Sequence, residues 1–226
     1  MTIISVLLAR SIRLLKVIGP PGGLYMLDAV KLLKDKYGFL QVPTTLAEFK
    51  NEGGGVSFKH GKYTIDEGAK TRDIVIDDFV VYSNAIVVET KSTTDDSDLI
   101  LDDITAFAAD ALNMKAVPGQ AIEKMYISNV EVLLNEDFNK FFPRFDVVST
   151  AVHGCLSKYG TNVPPFESLG LAMFFDQTKL LKSLLANFRI ERREGESFEK
   201  SIFFSSAPLK TADHFAVLEM LDRPAK

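Results

Sequence analysis

Apolar positions along the chain follow two rhythms, one helical and one alternating, and these rhythms predict the elements. Leu24, Leu27, Val30 and Leu33 recur at the spacing of one helix face, so residues 24–36 are expected as a helix stopped by Gly38. Thr45-Leu46-Ala47-Glu48 has the Thr-x-x-Glu form of a capping box, which predicts a short helix from Thr45, broken at Gly53-Gly54-Gly55. Residues 56–59 and 62–65 read as a small hairpin about His60-Gly61. Residues 74–81 and 85–90 are rich in β-branched side chains and flank Tyr82-Ser83-Asn84, which predicts a larger hairpin. Thr93-Thr94-Asp95-Asp96 opens a helix whose stripe is Ile100, Ile104, Phe107 and Ala111, and Val117-Pro118-Gly119 ends that unit. Beyond it come a strand over 125–134, a helix over 138–158 with Pro143 in its first turn or at a break, and strands over 171–175, 187–192 and 201–205. Glu194-Gly195-Glu196 marks the last turn, and Thr211 opens a final helix carrying Phe215, Leu218 and Leu221.

The same punctuation occurs twice. Lys36-Tyr37-Gly38 is followed by Val42-Pro43, and Lys158-Tyr159-Gly160 by Val163-Pro164. Downstream, one ungapped offset aligns Gly53 with Gly170, Phe58 with Phe175, Lys62 with Lys179, Ala69 with Ala186 and Arg72 with Arg189. It also aligns Thr94 with Thr211, Asp96 with Asp213 and Leu101 with Leu218. The pattern predicts an α+β fold of two degenerate helix–strands–hairpin–helix copies, mainly antiparallel, related by a pseudo-twofold axis. The expected organisation is an N-terminal docking segment over 1–23, a first unit over 24–117, a connecting strand over 118–137 and a second unit over 138–226.

The N-terminal segment reads as an end helix. Its apolar run is interrupted by Arg10, Arg13 and Lys16, which recur every third residue and would form one cationic stripe on a helix. That interruption excludes a membrane-spanning run, and the charges follow the apolar stretch instead of preceding it as in a signal peptide. A helix lying on a membrane surface would share the pattern. Docking of the apolar face against the body is the preferred reading.

Composition narrows the function classes. The formal charge of −4 argues against a protein that grips a nucleic-acid backbone. Cys155 is the only cysteine, which rules out an internal disulfide and points to the cytoplasm. Of 17 phenylalanines, 12 lie from Phe138 onward, so an apolar contact surface is expected in the second half.

The sharpest candidate chemistry lies in the hairpin over 74–91. A turn at 82–85 sets Val81 opposite Ile86 and Asp78 opposite Glu89, with Lys91 two residues on, gathering two carboxylates and a lysine on one face. Carboxylates suit Mg²⁺, and a lysine can stabilise charge developing on a phosphate. Ile86-Val87-Val88-Glu89-Thr90-Lys91 resembles the PD-(D/E)xK nuclease motif, an apolar strand ending in Glu-x-Lys after an upstream Asp, over about residues 73–134. That resemblance implies a metal-dependent nuclease in which Asp78, Glu89 and Lys91 are catalytic, with Asp73 as a substitute acid and Mg as the cofactor.

Other clusters read as structure. Asp95, Asp96 and Asp98 suit a helix start, where they complement the macrodipole. His153, Cys155 and His214 lack zinc-ligand spacing, and Ser205, Ser206, Asp213 and His214 lack a nucleophile-elbow pattern. Gly19–Gly23 and Gly53–Gly55 lack the phosphate-loop context, and Arg189, Arg192, Arg193 and Lys200 are interleaved with glutamates. The reading favoured by the sequence is therefore a non-enzymatic, cytoplasmic interaction or assembly component without a cofactor, partnered by protein or by itself. The nuclease is the alternative.

Overall fold

A computed structural model describes residues 1–15, 26–45, 48, 55–66, 68, 70–82, 84–111, 121–135, 138, 143–160, 164, 166–176 and 186–223. Among them the architecture is mixed α+β. The strands are β1 (Thr2–Leu15), β2 (Val56–Asp66), β3 (Thr71–Val81), β4 (Ala85–Thr90), β5 (Ala121–Leu133), β6 (Gly170–Met173), β7 (Phe188–Arg192) and β8 (Ile202–Ala207). The helices are α1 (Met26–Tyr37), α2 (Thr94–Ala111), α3 (Pro143–Lys158) and α4 (Thr211–Leu221). Hydrogen-bonded neighbours run in the order β2-β3-β4-β1-β5-β8-β7-β6. The pairs β2–β3, β3–β4, β4–β1, β6–β7 and β7–β8 are antiparallel.

The chain divides into two compact bodies. The first comprises Val6–Asn129 and Pro208–His214; the second comprises Met1–Ser5, Val130–Ala207 and Phe215–Lys226. In the first, α1 and α2 contribute Val30, Leu33, Tyr37, Ile100, Leu101 and Ile104 to a core completed by Phe39, Phe58, Ile76, Phe79 and Val88 from the sheet side. Burying each of these aliphatic or aromatic side chains contributes about 1.5–3 kcal/mol before the entropy of ordering is counted. Gly38 ends α1 at φ +63°, and its N–H donates to the Lys34 carbonyl at 2.8 Å. In the second body Phe138, Ile190, Phe203 and Leu218 are buried, with Phe138 and Phe203 in ring contact at 4.9 Å between centroids.

Three expectations need correction. The N-terminal segment is a strand, not a helix. Its β-branched start, Thr2-Ile3-Ile4-Ser5-Val6, favours extended backbone, and Ala9, Ser11, Arg13 and Leu15 alternate into the interior. Period-two geometry places Arg10 and Arg13 on opposite faces, so the cationic stripe does not form; Lys16 lies outside the described residues. The strand expected over 125–134 is present as β5, flanked in the sheet by β1 and β8.

His60-Gly61 is not a turn. β2 runs through it in unbroken register, Lys59 opposite Asp78 and Gly61 opposite Ile76. His60 adopts φ +56°, and the buried face changes phase there, from Val56 and Phe58 to Tyr63 and Ile65. Glycine is required at 61 because a Cβ would lie 2.5 Å from the Phe39 ring. The helix expected from Phe138 starts at Pro143, whose missing N–H is harmless in a first turn. Strands 74–81, 85–90, 187–192 and 201–205 all match observed elements to within a few residues. The capping box forms: the Thr45 N–H donates to the Glu48 carboxylate at 2.8 Å and the Glu48 N–H to the Thr45 hydroxyl at 3.4 Å.

Candidate functional site

The hairpin of β3 and β4 pairs as the sequence implies, with Val81 opposite Ile86 and Asp78 opposite Glu89. Neighbouring strands extend that row in both directions: Lys59 lies opposite Asp78, and Arg10 opposite Glu89. The four side chains form a cross-strand ladder of signs plus, minus, minus, plus. Arg10 meets Glu89 at 2.5 Å, Lys59 approaches Asp78 at 4.0 Å, and the Ser57 hydroxyl donates to Asp78 at 2.6 Å. Such a row balances its own charge. Lys91 sits in the bend past the end of β4, exposed, and Asp73 is engaged by Lys62 and the Thr64 hydroxyl, each at 2.7 Å. Among the described residues, no three His, Cys, Asp or Glu side chains are grouped to hold a metal ion.

A second polar cluster went unrecognised in the sequence. Arg13 on β1 is 3% exposed, and its guanidinium donates to Ser11 at 2.9 Å, Asp98 at 2.6 Å and Asp102 at 3.3 Å. The Tyr126 hydroxyl closes on the other Asp98 oxygen at 2.9 Å. Burial pushes the Asp98 carboxyl up, but the bonds from Arg13, Ser11 and Tyr126 outweigh it and hold the group below the usual carboxylate range. With its charges paired, this network ties β1 to α2. Asp96 is fixed by Arg72 through two bonds of 2.8 and 2.9 Å, which with Ser92 and Thr93 bring its carboxyl down to about 2.

The starts of α2 and α4 meet in the first body. The Thr94 N–H donates to the Thr211 hydroxyl at 3.1 Å, and the Thr211 N–H to the Thr94 hydroxyl at 2.9 Å, across 117 residues of sequence. Nearby, the fully buried His214 ring shares a 2.7 Å bond with the Ser128 hydroxyl, and burial lowers its pKa to about 4. His153 and Cys155 lie on α3, in the second body.

The second body carries the feature that best suggests a task. α3 turns Ser149, His153 and Leu156 partly inward, while Phe145 (56% exposed), Val148 (57%) and Val152 face solvent. Those three recur at i, i+3 and i+7, the stripe that a docked helix buries. In the first body, by contrast, α1 buries Ala29, Val30, Leu33 and Tyr37. Phe166, Leu169 (61%), Met173 (51%), Phe174 and Phe175 are also exposed, along the chain entering and leaving β6. A groove of about 250 Å³ lies between α3 and residues 166–168. The phenylalanine count anticipated an apolar surface in this half; periodicity alone could not tell an exposed stripe from a core one.

No family model, no curated protein and no solved structure matches this chain. No described helix is long and apolar enough to cross a membrane.

Proposed function

We propose that this protein is a non-enzymatic interaction or assembly component, working through the apolar surface of α3 and β6. The observation that carries the reading is that surface. Large apolar side chains held on regular elements and left in solvent are what an unassembled interface presents. The polar clusters point the same way, since their charges are paired with one another. A cytoplasmic setting belongs to this reading and rests on the lone cysteine.

The proposal includes an origin by duplication, with each copy running β-α-β-β-β-α. The strand order supports it, because it reads as β2-β3-β4-β1 followed by the same arrangement reversed, β5-β8-β7-β6. So do matched bonds. The Leu15 N–H donates to the Asn84 carbonyl at 2.8 Å, and the Leu134 N–H to the Ser201 carbonyl at 3.1 Å. The Ser97 N–H donates to Thr93 and the His214 N–H to Lys210, at 3.0 and 2.9 Å. A contact in which residue i meets j and j meets i is the mark of a twofold relation, and Thr94 with Thr211 has that form.

The test is hydrodynamic. Sedimentation of the purified chain, and of the chain in native lysate, is expected to give masses above that of one subunit. A monomer in both settings would remove the reading. The metal-dependent nuclease draws on the adjacency of Asp78 and Glu89 alone. It requires Mg²⁺-dependent cleavage that is lost in Glu89→Ala with the fold intact.

A further inference from the structure

Resting on the interaction reading, we infer that the partner is a second copy of this chain, and that the copies join edge to edge through β6 in an antiparallel pair. β6 is the last strand in the sheet order, and its sequence invites pairing. Residues 168–175, Ser-Leu-Gly-Leu-Ala-Met-Phe-Phe, contain no charge and no proline. An exposed, uncharged, apolar edge is a template for another strand unless something blocks it.

The ladder shows which backbone groups of β6 are not used by β7. The Arg192 N–H donates to the Leu169 carbonyl at 2.8 Å, so Leu169, Leu171 and Met173 spend their backbone groups on β7. Gly170 and Ala172 therefore turn their N–H and C=O groups outward. Both are small, which lets a second backbone approach.

Two further arguments select a second copy. An antiparallel strand read against itself places neutral residues opposite neutral residues, so no like charges meet. The nearest acid upstream, Glu167, is held by Arg192 at 3.2 Å. The other end of the sheet is blunted. β2 carries Lys59, His60 and Lys62, has a left-handed residue at His60, and is partly covered by Leu40 and Gln41, whose N–H groups donate to the Lys59 carbonyl at 3.2 Å. With one end closed, β6 pairs with β6, giving a closed twofold dimer instead of a filament.

The area is sufficient. Aromatic side chains offer 150–250 Å² each, so the exposed parts of Phe145, Phe166, Phe174 and Phe175, with Leu169 and Met173, supply on the order of 700 Å² per subunit, near the roughly 800 Å² of a standard interface. The groove beside α3 is lined on its other side by Phe166, Glu167 and Ser168, which lead into β6.

Analytical ultracentrifugation of the full chain from micromolar to hundred-micromolar concentration is expected to give twice the chain mass. Ala172→Pro should reduce it to the mass of one chain with an unchanged far-UV circular dichroism spectrum, because the lost N–H points away from β7. Should that variant fold poorly, hydrogen exchange on the wild type decides, with the Ala172 and Phe174 amides slowing as concentration rises. A wild-type dimer indifferent to Ala172→Pro, or without that protection, overturns the β6 edge. A purified monomer that travels in a larger complex in lysate overturns the second copy and leaves the interaction reading standing, whereas a monomer in both settings removes both.

Discussion

Acid should destabilise this protein well above the pH at which its carboxylates titrate, and His214 is the reason. Its ring is fully buried, and burial brings its pKa from 6.5 to about 4. The unfolded chain takes up the proton near pH 6.5; the folded chain resists until about pH 4. Below the higher value the unfolded state therefore binds more protons, and stability falls as pH falls. The contribution is fully present above pH 6.5 and is lost progressively down to about 4. At about 1.36 kcal/mol per pKa unit the full loss is about 3 kcal/mol. Asp96 and Asp98, held below the ordinary carboxylate value of 3.8, lose their contributions only as pH falls from about that value, so the windows separate. The assay is urea unfolding followed by circular dichroism at steps from neutral pH to about 4.5. In the wild type the unfolding free energy should slope toward one proton's worth per pH unit; in His214→Gln that slope should flatten. Equal slopes in the two proteins would refute the reasoning, as would an imidazole NMR titration placing His214 near 6.5.

Arg13→Met leaves Asp98 without its main cation and should cost about 3–5 kcal/mol in chemical denaturation, as for breaking a buried pair from one side; a loss under about 1 kcal/mol would mean the network is solvated. Gly61→Ala drives a methyl into the Phe39 ring and should cost about 1–3 kcal/mol in the same assay, whereas a neutral result would show that Phe39 yields. Thr94→Ala and Thr211→Ala each delete one acceptor of a reciprocal pair and should cost about 1 kcal/mol apiece, nearly equal; one silent and one costly substitution would count against their equivalence.

Legibility in the sequence followed how local each signal was. β4 is legible to its terminal residues, and the pairing of Asp78 with Glu89 follows from it, because β-branched runs and a short turn act within a few positions. The N-terminal strand is hidden in the sequence because charges at every third residue imitate a helical stripe. Arg13 can enter the interior only because Ser11, Asp98 and Asp102 receive it there, and two of those partners lie far along the chain. His60-Gly61 failed likewise: glycine answers to Phe39 across the fold, not to a local turn. The exposed stripe on α3 has the periodicity of a buried one, so pattern finds the stripe without saying what covers it.

On the duplicated reading, the two copies also explain where the sequence alignment holds and where it drifts. Thr94 and Thr211 keep the offset, and the bond from Ser97 to the Ala9 carbonyl at 2.8 Å has its counterpart in that between His214 and Ser128. The sheet register breaks the offset upstream. Asp78 faces Glu89 across a short turn, whereas the equivalent row of the second hairpin sets Arg189 opposite Ser206, so Arg72 and Arg189 match in sequence but not in place. The extra length sits between β7 and β8, in the segment holding Gly195 and the turn at Phe198–Lys200. Past that insertion the offset returns, and with it a division of labour. Where the first copy has Arg13 and Asp98, the second has Val132 and Phe215, an ion pair set against two apolar residues, the kind of exchange interiors tolerate when both partners change together. Where the first has Ser97, the second has His214. On that reading the titratable ring belongs to one copy and the charged network to the other. The edge at β6 is apolar while the edge at β2 carries Lys59 and Lys62, and that asymmetry is what the proposed β6 pairing requires: one end open to a partner and the other blunted.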